Sequence, residues 1–263
     1  MNDSLEKNNI PIVVTAFGTT EKAFLTYEKI NTKFKKSFPD NTIYWAYSSR
    51  MVKQVLNKRK DNHDIKDALE VLLKLRDQGC KWAVLQSLHL ICGHEFDRLV
   101  SERDSVNIRL SMGLPLLTSS EDYFKASWAL KPLIPKDPNL AVILVGHGTD
   151  HPAWTAYAAL EDIMRKTYGE NIFTGVVEGY PDREITLERV KTAGFRKVCI
   201  IPFMLVAGVH FKEDLTGHED SWQKTFEQAG IKVSIVDHGI GEIDMISDIF
   251  CDHIRDALDI ITK

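Results

Sequence analysis

Short apolar runs alternate with longer amphipathic segments along the whole chain. The runs at 12–17, 42–47, 82–88, 109–112, 141–145, 173–177, 198–204 and 232–236 predict strands. Between them, 21–38, 65–78, 95–106, 121–133, 153–168, 185–193, 221–229 and 243–261 carry apolar residues at helical spacing. Hydrophobicity in 141–145 and 198–205 is continuous rather than alternating, as in strands buried on both faces. Gly79, Gly194 and Gly230 stand where helices should stop. Regular strand–helix alternation predicts an α/β protein with parallel sheets covered by crossover helices.

The pattern also repeats. VVTAFGTT (13–20) matches ILVGHGTD (143–150) at a spacing of 130, which sets Phe17 opposite His147, Gly18 opposite Gly148 and Thr19 opposite Thr149. WAYSSR (45–50) matches EGYPDR (178–183) at 133, which sets Trp45 opposite Glu178. Residues 79–96 match 194–211 at 115, with Gly93 on Gly208 and Glu95 on His210. Three matches in one order predict two similar halves, 1–135 and 136–263, joined at the proline-bearing LKPLIPKDPNL (130–140). Whether the last helix packs back on the first half is left open.

A length of 263 residues suits one large domain or two of about 130 each. The 33 Lys and Arg are balanced by 37 Asp and Glu and are interspersed with them, which argues against a nucleic-acid partner. A local basic pocket for a small anion is still compatible. No apolar stretch approaches the roughly 20 residues of a membrane span, and MNDSLEKNNI has neither the basic start nor the apolar core of a signal peptide. The expectation is a cytoplasmic protein without a membrane partner. Cys80, Cys92, Cys199 and Cys251 form no CxxC pair and read as free thiols in a reducing compartment. A homo-oligomer is left open.

Ligands of open parallel sheets bind outside the carboxyl ends of the strands. The second half places His147 after its first strand, Glu178 after its second and His210 past its third. Two imidazoles and a carboxylate suit a divalent transition metal with an open coordination position, and the same groups accept protons. The first half offers Phe17, Trp45 and Glu95 instead. If the halves face one another, the cleft has a metal-binding wall and an apolar wall with one acid, suited to a flat aromatic ligand. Each residue alone has a plainer role: His147 as a structural histidine, Glu178 as a turn cap, Phe17 and Trp45 as core. The glycines around His147 and the shared strand-end positions favour function. His151 and His94 read as surface or supporting groups, and His89 as a core histidine. Gly-His-Gly-Thr fits neither GxGxxG nor GxxxxGK[ST], so no nucleotide site is expected. Arg50 and Arg183, at matching positions, and Lys212 would pair with ligand carboxylates, or else are solvated residues at helix starts.

The chain resembles the anaerobic-type sirohydrochlorin cobaltochelatases, within the class II tetrapyrrole chelatases that include ferrochelatase. The resemblance runs through VVTAFGTT, QSLHLICGHEF, GLPLLTSSEDY, VGHGTDHPAW, VVEGYP and FMLVAGVHFKEDLTGHEDSW, and leaves only the first ten residues without a counterpart. It implies two similar α/β domains with the active site in the cleft between them. It implies ATP-independent insertion of a divalent metal, usually Co²⁺, into sirohydrochlorin on the route to cobalamin. His147, Glu178 and His210 fall on the family's metal-binding positions, and Glu95 on an acidic position of the cleft. No cofactor is expected beyond the substrate metal, which is Co²⁺ or, at the same site, Fe²⁺, Ni²⁺ or Zn²⁺. His147 is then the expected first acceptor of a pyrrole proton, with Glu178 or Glu95 the second. Phe17 and Trp45 would pack on the macrocycle, and Arg50, Arg183 and Lys212 would meet its acetates and propionates. The rival readings are an Fe²⁺ or Ni²⁺ chelatase for sirohydrochlorin or a porphyrin, a carrier of metal or tetrapyrrole without turnover, and a two-domain receptor like the periplasmic binding proteins.

Overall fold

The computed structural model describes residues 9–18, 24–49, 66–208, 211–217 and 220–261. Two compact units make up the chain: Met1–Thr118 with Ser247–Lys263, and Ser119–Ile246.

In the first unit, β1 (Ile12–Ala16), β2 (Ile43–Tyr47), β3 (Trp82–Ser87) and β4 (Arg109–Gly113) form one sheet in the order β2-β1-β3-β4. Every pairing is parallel. All of β1 is buried, Thr15 included, as expected of a strand paired on both sides in a parallel sheet. Helices α1 (Phe24–Ser37), α2 (Ala68–Asp77) and α3 (His94–Asp104) connect the strands. α2 shows why these segments are helical. Asp67 and Glu70 close a capping box at its start, and Ala68, Val71, Leu72 and Leu75 form one buried stripe. That stripe packs on Val13, Ala46 and Leu85 of the sheet.

The second unit repeats the plan. β5 (Ala141–Gly148), β6 (Ile172–Glu178), β7 (Lys197–Pro202) and β8 (Lys232–Ile235) run parallel in the order β6-β5-β7-β8. Its helices are α4 (Ser120–Leu130), α5 (Thr155–Tyr168), α6 (Arg183–Thr192) and α7 (Trp222–Gln228). Ile143, Val145, Phe173, Ile200, Trp222 and Phe226 fill its core. Glu161 of α5 is buried there and accepts hydrogen bonds from Thr174 N at 2.7 Å and Thr174 Oγ1 at 2.9 Å. It also pairs with Arg189 and, at 3.4 Å, with Arg165. Both guanidiniums lie over the Phe173 ring, so one buried acid ties α5, β6 and α6 together.

The last helix, α8 (Asp244–Ile261), joins the first unit from Ser247 onward. Asp248 pairs with Lys33 at 2.7 Å, and His253 Nδ1 lies 2.9 Å from the Leu114 carbonyl oxygen. α4 belongs to the second unit, where the Tyr168 hydroxyl donates to the Ser127 carbonyl at 2.8 Å. The division therefore falls at Ser119 and again at Ser247, not between 135 and 136. Helical periodicity shows that a segment has an apolar face but not which sheet covers it.

Strand and helix positions follow the apolar pattern closely, and the departures have local causes. β5 runs on to Gly148 because Gly146 and Gly148 keep pairing, with Val176 and Glu178. β7 ends at Pro202, which has no N–H to continue the ladder. The helix expected over 121–133 closes at Leu130 into a 3₁₀ turn over Lys131–Leu133. A π-helical segment, Phe211–Gly217, has no counterpart in the sequence pattern.

Candidate functional site

Each sheet reverses its strand order beside its first strand, so the crevice for a ligand opens next to the carboxyl ends of β1 and β5. Both ends are built alike. Gly18 and Gly148 have φ of 100° and 88°, a left-handed turn that glycine adopts without strain. The Gly18 N–H donates to the Tyr27 hydroxyl at 3.3 Å, and the Gly148 N–H to the Tyr157 hydroxyl at 3.1 Å. Tyr157 also fills the space beside Gly146, where a Cβ would come within 2.3 Å of its ring. Burial raises the pKa of both phenols, which keeps these hydroxyls neutral. On this common corner stand Phe17 in the first unit and His147 in the second.

The ends of β5 and β6 are pressed together. A Cβ on Gly148 would lie 1.8 Å from the Glu178 carbonyl oxygen, and one on Gly179 would lie 3.0 Å from the Thr149 carbonyl oxygen. Gly148 pairs with Glu178 in the ladder. His147 and Glu178 thus sit at adjacent strand ends held by direct backbone contact. His147 is half-buried, with Nδ1 3.4 Å from the Gly148 carbonyl oxygen, and Glu178 is exposed. The third expected ligand, His210, lies outside the described residues, in the segment between β7 and the π-helical turn. Among the described residues no group of three or more His, Cys, Asp or Glu is gathered for a metal.

The rim of the first unit is a closed polar network. His89 lies between the Ser87 hydroxyl at 2.8 Å and the Ser48 hydroxyl at 3.4 Å. Burial pushes its pKa down to about 4, with the Arg98 charge assisting and Glu95 opposing, so at neutral pH it is uncharged. Arg98 donates to the Ser48 carbonyl at 2.6 Å and to Glu102 at 3.2 Å, and its Nη1 lies 3.8 Å from Glu95 Oε2. Glu95, in the first turn of α3, keeps that oxygen buried without a hydrogen bond. A buried carboxylate oxygen left in this state is a ready acceptor. Phe17, at 44% exposure, presents its ring at the strand end.

Backbone pairing corrects one sequence alignment. Val14 pairs with Trp45, and Leu144, its counterpart 130 residues on, pairs with Thr174. Trp45 therefore corresponds to Thr174, and the position matching Glu178 is Ser49. Trp45 is mid-strand and partly buried, its indole N–H donating to Asn31 at 2.9 Å and its ring 5.7 Å from Tyr27 and 6.3 Å from Tyr47. Those contacts make it a packing residue between β2 and α1. The 115-residue spacing of the third match agrees with the ladders: Ile12 pairs with Val84, and Val142 with Cys199. Arg183 opens α6 and binds Glu184 at 2.8 Å and 3.1 Å. Arg50 and the Lys212 side chain lie outside the described set.

Sequence reasoning missed Tyr157 and Arg98. The tyrosine had a signal, since Tyr27 and Tyr157 are spaced by the same 130 residues as the glycines they support. Arg98 had none, because the main-chain oxygen it binds is 50 residues away.

Comparison with known proteins places this architecture in a family. The family model for cobalt chelatase (CbiK) matches residues 11–259. The chain belongs to the CbiK cobalt chelatase family. It is 34% identical over 263 residues to the sirohydrochlorin cobaltochelatase of Salmonella typhimurium, covering 96% of this chain and 97% of that one. It is 28% identical over 256 residues to the sirohydrochlorin cobaltochelatase CbiKC of Nitratidesulfovibrio vulgaris, covering 94% and 90%. Among solved structures, SirB from Bacillus subtilis with Fe³⁺ aligns with a TM-score of 0.64 at 14% identity, covering 95% of each chain. The cobalt complex of the SirB sirohydrochlorin chelatase aligns at 0.60, also at 14% identity, over 95% of this chain and 96% of that one. These two likenesses concern the fold.

Proposed function

We propose that the protein inserts Co²⁺ into sirohydrochlorin without ATP. The observation that carries this reading is the 34% identity, end to end, with a sirohydrochlorin cobaltochelatase. The placement of His147 and Glu178 at adjacent strand ends, where Gly148 pairs with Glu178, supports it.

Insertion requires that the ion be held partly desolvated, that two pyrrole N–H protons leave, and that the ring nitrogens then replace the protein ligands. His147, Glu178 and His210 hold the ion, a donor set of imidazole and carboxylate that suits a divalent transition metal and binds only in its deprotonated form. As the first nitrogen bonds the metal, His147 is released and takes the first pyrrole proton. The second proton goes to Glu178 or to the buried, unbonded oxygen of Glu95. Two protons lost from the ring balance the two positive charges gained with the metal. The exposed Phe17 ring packs on the macrocycle. Arg50 and Lys212 meet the acetates and propionates, whereas Arg183 has committed donors to Glu184.

The test is a steady-state assay of the purified protein with excess Co²⁺ and sirohydrochlorin, without nucleotide, followed by absorption. Many product molecules per protein are expected. Stoichiometric uptake that stops at one equivalent would show a carrier instead. Parallel reactions with Fe²⁺, Ni²⁺ and Zn²⁺, and with a porphyrin, rank the metals and rings.

A further inference from the structure

We infer that Tyr180, braced by Trp154, is a stacking surface for the tetrapyrrole on the metal-holding side of the site. The inference rests on the proposed function and extends it to residues with no role so far. Tyr180 comes two residues after Glu178 in the loop leaving β6, and Trp154 ends the 3₁₀ turn Pro152–Trp154 in the loop leaving β5. Their rings meet edge to face, with centroids 5.5 Å apart and planes at 84°. Trp154 is half-buried, whereas Tyr180 is 54% exposed. The indole thus fixes a phenol whose remaining surface is open.

Both loops are held by local hydrogen bonds. His151 N donates to Thr149 Oγ1 at 3.1 Å, Ala153 N to His151 Nδ1 at 3.1 Å, and Trp154 N to the His151 carbonyl at 2.9 Å. On the other side Val176 N donates to the Pro181 carbonyl at 2.9 Å. The two loops approach each other where Gly179 faces the Thr149 carbonyl. A single exposed aromatic residue is ordinary on a protein surface. A fixed ring rising from the same two strand ends as His147 and Glu178 is a different case. Any macrocycle that receives a metal from those residues must lie beside them, and a conjugated ring stacks on an aromatic face with little loss of side-chain freedom. Loss of one such contact, with the apolar area it covers, should weaken binding about tenfold.

The experiment titrates metal-free sirohydrochlorin into wild-type protein, Tyr180→Ala and Tyr180→Phe, and measures Co²⁺ binding to each without tetrapyrrole. Tyr180→Ala should bind sirohydrochlorin about tenfold more weakly than wild type, Tyr180→Phe should stay close to wild type, and Co²⁺ affinity should be the same for all three. Unchanged sirohydrochlorin affinity in Tyr180→Ala would overturn the inference, as would a matching loss of Co²⁺ binding, which marks a structural role. Wild-type protein that binds sirohydrochlorin but does not turn over would refute the proposed function while leaving the stacking result intact. Wild-type protein that does not bind sirohydrochlorin overturns both.

Discussion

The contact between Gly148 and Glu178 can be tested against an internal standard. Gly148 has φ of 88°, and an added Cβ would lie 1.8 Å from the Glu178 carbonyl oxygen. Gly194, in the same unit, has nearly the same φ of 85° but open space around the added carbon. Alanine at Gly194 should cost the left-handed backbone term, about 1–2 kcal/mol, less about 0.4–1 kcal/mol from a stiffer unfolded chain. Alanine at Gly148 bears the same terms and also a backbone overlap that no rotamer can relieve, so the ends of β5 and β6 must part. Overpacking costs about 1–3 kcal/mol, and a clash against a carbonyl belongs at the upper end. Gly148→Ala should therefore be about 2–3 kcal/mol less stable than Gly194→Ala. Urea denaturation of the two variants reads this difference, and comparing sites in one unit limits the effect of multi-state unfolding. A Co²⁺ titration should show weaker binding in Gly148→Ala alone, since only that change moves His147 relative to Glu178. Equal stabilities together with equal Co²⁺ affinities would refute the view that this close approach sets the site.

His147→Ala should abolish metal insertion while circular dichroism and the denaturation midpoint stay near wild type, and full turnover in the folded variant would remove His147 from the mechanism. Glu161→Ala leaves Arg165, Arg189 and the Thr174 donors without their shared acceptor. It should lower stability by about 3 kcal/mol, measured by denaturation, with no change in Co²⁺ affinity once folded. His89 gives a pH signature. Its pKa is about 4 in the fold against about 6.5 unfolded, so between those values the unfolded chain binds more protons. Its contribution is complete above pH 6.5 and lost as pH falls towards 4, with a slope of at most about 1.4 kcal/mol per pH unit. His89→Gln should flatten the stability profile in that window, and an unchanged slope would assign the acid sensitivity elsewhere.

The order and type of the elements were legible because each apolar run had one period and clear punctuation. The same reading could not tell which surface a helix would cover, so α4 fell in the other unit from the one expected, and the pattern leaves the side taken by α8 open. The candidate site was legible where chemistry and repetition coincided. His147 stands on a glycine corner that appears twice, and the strand register makes it the counterpart of Phe17 in the other unit. Trp45 misled because WAYSSR resembles EGYPDR in letters while the ladders run four residues out of step with that match. A local alignment scores residue likeness, but a sheet fixes equivalence by hydrogen-bond register. Arg98 and the buried, unbonded oxygen of Glu95 were invisible for another reason: their environment is assembled from β2, β3 and α3, and no window of sequence contains it.

Once the register is right, the asymmetry of the two units has a physical form. The corner glycines, the tyrosines that accept their N–H groups and the helix-ending glycines Gly79 and Gly194 are shared, so the scaffold does not distinguish the halves. The residues equivalent to Glu178 and His147 do. In the first unit these are Ser49, which is buried, and Phe17, neither of which suits a divalent transition ion. Neighbouring polar groups there are turned inward: Ser48 engages Arg98 and lies beside His89, and His89 is kept neutral. In the second unit Glu178 is exposed, and the exposed Tyr180 follows it two residues on. On the proposed reading, metal capture is confined to one sheet without any change of fold, because it needs only different side chains on strand ends that the backbone already holds in place.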